Sequence, residues 1–165
     1  MVPGRYARLE DEQRFVLRAV PEGAAGPSLI EDRYIRATRL RLRRVTEGDT
    51  IVHKLGHKVP VDPARPSAVW HTTSYLDASE YEVLATLDAW PLRKHRWRLR
   101  AGGSVDELLG PLCGLVLLEG DRPFVPPVGH LGEVTDDARF CGGSLARLDE
   151  REARILLGDA GPRIR

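Results

Sequence analysis

The stretch LEDEQRFVLR, Leu9–Arg18, decides how this chain is read. Laid out as a strand it puts Glu10, Glu12 and Arg14 on one face, with Leu9, Asp11, Gln13, Phe15 and Leu17 on the other, because successive side chains alternate. Two neighbouring carboxylates repel, so a folded protein that keeps them on one face, with an arginine next in line, needs a reason to do so.

The same alternation recurs with the opposite sign. TRLRLRR, Thr38–Arg44, sets Arg39, Arg41 and Arg43 against Leu40 and Leu42. KHRWRLR, Lys94–Arg100, sets Lys94, Arg96, Arg98 and Arg100 against His95, Trp97 and Leu99. LVLLEGD, Leu115–Asp121, ends on a second acidic pair, Glu119 and Asp121. Any one of these rows is an ordinary sheet face turned to water. Together they suggest one shared interior, a closed barrel of about eight strands, wide enough for side chains or one small ligand. Buried charges need partners. Gathered carboxylates suit a hard divalent cation such as Mg²⁺ or Mn²⁺, and gathered arginines suit phosphate through their planar forks.

The totals agree with a single soluble domain. The chain has 165 residues, 42% hydrophobic and 30% charged, with 25 Lys and Arg against 24 Asp and Glu. A net charge of +1 gives no global attraction to nucleic acid or to a membrane surface, so neither is an expected partner. No apolar run is long enough to span a bilayer, and the N-terminus does not read as a signal peptide. Cys113 and Cys141 have no metal-binding spacing, and free thiols in a reducing cytoplasm are the simplest reading.

Strands are expected over Leu9–Val20, Ile30–Ala37, Thr38–Val45, Thr50–Leu55, Trp70–Leu76, Lys94–Arg100 and Leu112–Asp121. Glu47, Gly48 and Asp49 look like a hairpin turn. VPVDPARPS reads as a Pro-rich loop and GGSVDELLGP as a turn region. A helix is expected over Asp77–Ala89, with Asp77 and Glu80 as a capping box, and a second over 144–157, closed by Gly158. Many short strands with few helices point to an α+β, mainly β fold, an antiparallel sheet or barrel with helices packed outside, in one domain over 1–165.

These motifs resemble the CYTH domain, the triphosphate tunnel metalloenzymes. Glu10, Glu12 and Arg14 look like the ExExK of the first strand. Arg41 and Arg43, with Arg39, look like its arginine-rich strand. Lys54 is similar to the end of its TxK strand, Lys94 and Arg96 to its KxR, and Glu119 and Asp121 to its closing acidic pair. FVPPVGHLGEVTDDARFCGGSLA resembles the PP…EVT…RY segment, with Glu133 and Arg139 on the polar positions and Phe140 on the aromatic one.

The resemblance, which runs over about 6–148, implies an eight-stranded antiparallel closed β-barrel with helices packed outside, and Glu10, Glu12, Glu119 and Asp121 as ligands of Mg²⁺ or Mn²⁺. It implies Arg39, Arg41, Arg43, Lys54, Lys94, Arg96 and Arg139 as triphosphate-binding residues, and Arg14 and Glu133 as the catalytic pair. The chain departs from the pattern in three places. Arg14 replaces a lysine and cannot act as a base. His71 and Thr73 occupy the places of an ExE pair, and Ser104 and Asp106 those of an ExD pair. The implied activity is metal-dependent hydrolysis of an inorganic or organic triphosphate. The alternatives are a non-catalytic polyphosphate- or nucleotide-binding module and an adenylyl cyclase. Whether the protein is a monomer or a homodimer is not encoded in these motifs.

Overall fold

The computed structural model describes residues 4–164, with side chains through Gly158. Part of the N-terminal expectation, and the ends of the expected domain, therefore lie outside the described residues. Eight strands follow in order: β1 (Arg8–Leu17), β2 (Ala25–Ile35), β3 (Leu40–Glu47), β4 (Thr50–Asp62), β5 (Arg65–Leu76), β6 (Ala89–Arg98), β7 (Ser104–Leu108) and β8 (Val116–Asp121). They pair antiparallel in the order β5-β4-β3-β2-β6-β7-β8-β1, and β1 also pairs with β5, so the sheet closes on itself. Closure removes the exposed strand edges that an open sheet would carry.

Strand β1 is the seam. Arg8–Asp11 pair with β5, while Glu12–Leu17 pair with β8. Where β5 leaves, the two-residue strand β9 (Gly132–Glu133) takes over beside Phe15 and Val16. The Arg14 amide donates to Thr135 Oγ1, and Ser67 Oγ on β5 donates to Asp136 Oδ1, which ties this segment to both flanks of the seam.

Several expected boundaries are corrected. The Pro-rich stretch is not a loop: β4 and β5 run through it as one long hairpin that turns at Pro63 and Ala64. Its register shifts between Pro60 and Asp62, where Pro60 has no N–H to give the ladder. The GGSVDELLGP region contains a true strand, β7, whose Val105 and Asp106 are buried. Helix α1 (Ala78–Ala85) stops four residues short of expectation, and Ala89 already begins β6. Its capping box is present as expected, and Tyr81 is buried and stacked on His53 with ring centroids 4.3 Å apart.

The single helix expected over 144–157 is two helices, α2 (Gly142–Leu145) and α3 (Glu150–Ile164). Asp149 breaks them apart. Its side chain accepts from the Glu152 amide while Glu152 Oε2 accepts from the Asp149 amide, a new helix start. Gly158 does not end α3.

Two apolar clusters fix the barrel. On the outer face, Phe15, Leu17, Val105, Val116 and Leu118 pack beneath Phe124 and Val128. At one end of the inner face, Val16, Leu92, Leu108 and Leu117 pack against Phe140, Leu145, Ala153 and Leu156 of the C-terminal segments. Each Val, Leu or Phe among them contributes about 1.5–3 kcal/mol when fully buried. The C-terminal helices thus seat over inward-facing residues and fill that end of the barrel. Gly142 permits the close approach, because a Cβ there would overlap the Tyr34 hydroxyl. Among the described residues no helix is long and apolar enough to cross a membrane, and both cysteines are free.

Candidate functional site

Register places the charged rows on one inner surface. Residues directly opposite on antiparallel strands point to the same side. Glu12 faces Asp121 and Arg14 faces Glu119 across β1 and β8. Asp32 faces Arg43, which faces Lys54 in turn. Arg96 lies between Ser28 and Asp106. These rows meet at a cavity of about 430 Å³, lined on one side by Glu12, Glu119 and Asp121 and on others by Arg43, Lys54, Arg96 and Arg98.

The cations and acids interlock. Arg14 donates from Nε and Nη2 to Glu119 Oε1, at 2.8 Å in each case. Arg96 forks Asp106, with Nε on Oδ1 at 2.6 Å and Nη2 on Oδ2 at 2.7 Å, and also reaches Glu119 Oε2 at 3.0 Å. Lys94 is buried and bonds Asp106 Oδ2 at 2.5 Å. Arg43 forks Asp32 in the same way, at 2.6 and 2.7 Å. Arg41 lies 3.6 Å from Asp32, and its Nε is buried without a hydrogen bond.

The electrostatics follow from these contacts. Burial opposes ionisation of Glu119, but Arg14, Lys94 and Arg96 outweigh it and hold the carboxyl well below its ordinary range. Asp32 behaves likewise: burial works against its charge, and Arg43 and Arg41 prevail. Lys94 is pushed down by burial, aided by Arg96 and Arg43, despite its bond to Asp106. Burial and then the Glu119 charge push Glu12 up.

Glu10 stands apart from the cavity. Its Oε1 meets His71 Nδ1 at 2.5 Å and its Oε2 accepts from Lys58 at 2.7 Å. Burial opposes its charge, but these partners bring its carboxyl down to about 2. His71 Nε2 is 3.1 Å from Thr73 Oγ1 and fits only because residue 56 is glycine, where a Cβ would sit 2.9 Å from that nitrogen.

Of the expected triphosphate-binding residues, Arg43, Lys54 and Arg96 line the cavity, and Lys94 is packed behind it among buried partners. Lys54 forms no ion pair among the described residues; its ammonium lies 5.1 Å from the Tyr75 ring centroid. Arg39 is exposed just ahead of β3, and Arg139 is exposed with its guanidinium on Asp137; neither lines the cavity. Of the expected catalytic pair, Arg14 is in the lumen. Glu133 is not brought there: it accepts from Gln13 on the outer face of β1 and from Thr135. Asp32 was not among the residues singled out from sequence. One acid in the polar alternation EDRYI carries no signal until β3 supplies Arg41 and Arg43 beside it.

Two of the four expected metal ligands are engaged by the protein's own cations, Glu10 by Lys58 and Glu119 by Arg14 and Arg96. Glu12 and Asp121 face each other and form no ion pair among the described residues. No three His, Cys, Asp or Glu side chains converge as a metal-holding group among the described residues. The donor set suits a cation such as Mg²⁺, which takes one or two carboxylates and completes its shell with water and phosphate oxygens rather than a full protein cage.

No protein-family model matches the chain, and no curated protein matches it by sequence. Among solved structures, the chain is similar to the crystal structure of the inorganic triphosphatase NE1496. The TM-score is 0.56 at 21% identity over 85% of this chain and 95% of that one. A second crystal structure, of the hypothetical protein NE1496, gives 0.55 at 21% identity over 85% and 99%. A third, the PH1819 protein from Pyrococcus horikoshii OT3, gives 0.49 at 16% identity over 72% and 79%.

Proposed function

We propose that this chain, whose closed barrel has the fold of a triphosphate tunnel domain, hydrolyses a phosphoanhydride bond of a small triphosphate with Mg²⁺ or Mn²⁺ as cofactor. One observation carries the reading. A single lumen cavity joins the cations Arg43, Lys54, Arg96 and Arg98 to the carboxylates Glu12, Glu119 and Asp121. Phosphoryl transfer asks the protein mainly for positioning and charge stabilisation, which fixed cations supply.

In this reading Arg43, Lys54 and Arg96 hold phosphate oxygens. Glu12 and Asp121 hold the divalent cation, which when bound supplies Lewis-acid polarisation of a phosphoryl oxygen. Arg14 fixes Glu119 and stays charged, because burial is outweighed by Glu119 and its pKa rises further. Arg14 therefore stabilises charge and takes no proton.

Phosphate release from inorganic triphosphate, ATP and thiamine triphosphate, each with Mg²⁺, Mn²⁺ or chelator, tests the proposal. Release that requires the metal supports it, and no release from any of the three overturns it. The engagement of Glu119 by two arginines favours a second reading, a polyphosphate-binding module without turnover. Binding of triphosphate without hydrolysis would select that reading. A cyclase is disfavoured, because among the described residues no aromatic side chain lines the cavity to stack on a base.

A further inference from the structure

The two cavity arginines are held in the same way. Arg43 and Arg96 each give Nε and Nη2 to one aspartate, at 2.6 and 2.7 Å in both cases. Both aspartates are almost completely buried: Asp32 is 1% exposed and Asp106 is 2%. Each also faces a second cation, Arg41 at 3.6 Å from Asp32 and Lys94 at 2.5 Å from Asp106. In neither arginine does Nη1 make a hydrogen bond among the described residues, and both arginines line the cavity.

A guanidinium is rigid and planar, so a fork that fixes its Nε–Nη2 edge also fixes the direction of Nη1. A free arginine loses much of its rotamer freedom when it binds an anion. One already clamped from behind has lost that freedom on folding. Donors set in place before the ligand arrives also do not reorganise when it does.

We infer that Asp32 and Asp106 are positioning residues, which aim the Nη1 groups of Arg43 and Arg96 at a phosphate anion in the cavity. The inference rests on the reading that this cavity binds phosphate. It concerns two carboxylates that touch no ligand themselves.

The sign of one measurement separates positioning from bystander charge. Asp32→Asn and Asp106→Asn keep the shape of the side chain and remove one negative charge beside the cations. By electrostatics alone, either change tightens anion binding. If the aspartates position the arginines, both changes weaken it.

The experiment is calorimetric titration of the full chain with inorganic triphosphate in chelator, with circular dichroism confirming the fold. The expected result is a loss of about tenfold in affinity for each variant, the lower end of what one hydrogen bond to a charged group contributes. Unchanged or tighter binding by the folded variants overturns the inference while leaving the anion site standing. Failure of the wild type to bind triphosphate overturns the cavity reading and the inference with it.

If the asparagine variants do not fold, two further measurements decide. Arg43→Lys and Arg96→Lys keep the charge and lose the planar fork, and each is expected to lose a similar factor; wild-type affinity in both sinks the inference. In the ligand-free wild type, ¹⁵N spectra should show slow guanidinium rotation for two arginines, assigned by their loss in the lysine variants. Fast, averaged Nη signals for both would also overturn it.

Discussion

Lys54 and Arg96 line the same cavity but are held differently, and truncating each should separate binding from stability. Arg96 makes three hydrogen bonds to two carboxylates, Asp106 and Glu119. Arg96→Ala leaves Asp106 hydrogen-bonded to Lys94 and Glu119 to Arg14. Removing one partner of a buried ion pair costs about 3–5 kcal/mol, and the remaining cations put this case near the lower end. Lys54 has no ion pair among the described residues and contacts the Tyr75 ring, worth at most about 1 kcal/mol. Toward a triphosphate each side chain offers hydrogen bonds to a charged group, about 1.5–3 kcal/mol, or roughly ten- to a hundredfold in affinity. Lys54→Ala should therefore lose binding with little loss of stability, and Arg96→Ala should lose both. Calorimetry with inorganic triphosphate and denaturant unfolding followed by circular dichroism measure the two quantities. Wild-type affinity in a folded Lys54→Ala protein removes Lys54 from the site. A wild-type unfolding midpoint for Arg96→Ala refutes the claim that this ion network holds the charged layer together.

Three further outcomes are expected. Glu12→Gln should abolish most metal-dependent phosphate release while binding of triphosphate in chelator persists; wild-type rates across a full Mg²⁺ and Mn²⁺ titration would remove Glu12 from cation binding. Gly142→Ala should cost about 1–3 kcal/mol by forcing α2 away from Tyr34, and an unchanged melting temperature would contradict the close packing at that end. The Glu10 carboxyl lies at about 2 in the folded chain against an ordinary 4.5, so its charge stabilises the native state above pH 4.5 and that contribution fades as pH falls toward 2. Glu10→Gln should accordingly be less stable than wild type at pH 7, with the gap closing below pH 4.5; a gap that stays constant with pH would mean that Lys58 and His71 do not stabilise the ionised form.

Any one row in LEDEQR, RLRLRR, KHRWR and LLEGD reads equally as a solvated sheet face; only the four together, two acidic and two basic, suggested a shared charged interior. Two kinds of information were missing. Pro60, Pro63 and Pro66 hid the β4–β5 hairpin, since proline is read as a break even where a bulge accommodates it. Glycines on both sides of SVDEL hid β7, and with it the burial of Asp106. Position in the lumen is also a property of pairs. Arg43 and Arg96 look like free cations in sequence, and only the register of β2 on β3 and of β6 on β7 shows that each comes with its own carboxylate. Glu133 sits in a stretch like the family's EVT, but which side of β1 it meets depends on β9 joining the seam beyond the end of β5.

The filling of one barrel end by Phe140, Leu145, Ala153 and Leu156 has a kinetic consequence. A tube open at both ends lets a linear polymer thread through, so an enzyme built that way can engage any interior bond and slide to the next. A blind-ended lumen admits only a chain terminus. A ligand that entered the cavity from the other end would leave by the route it came. On the proposed hydrolase reading, exchange at such a site is sequential, and a long polymer would be shortened from its tip rather than cut in its middle.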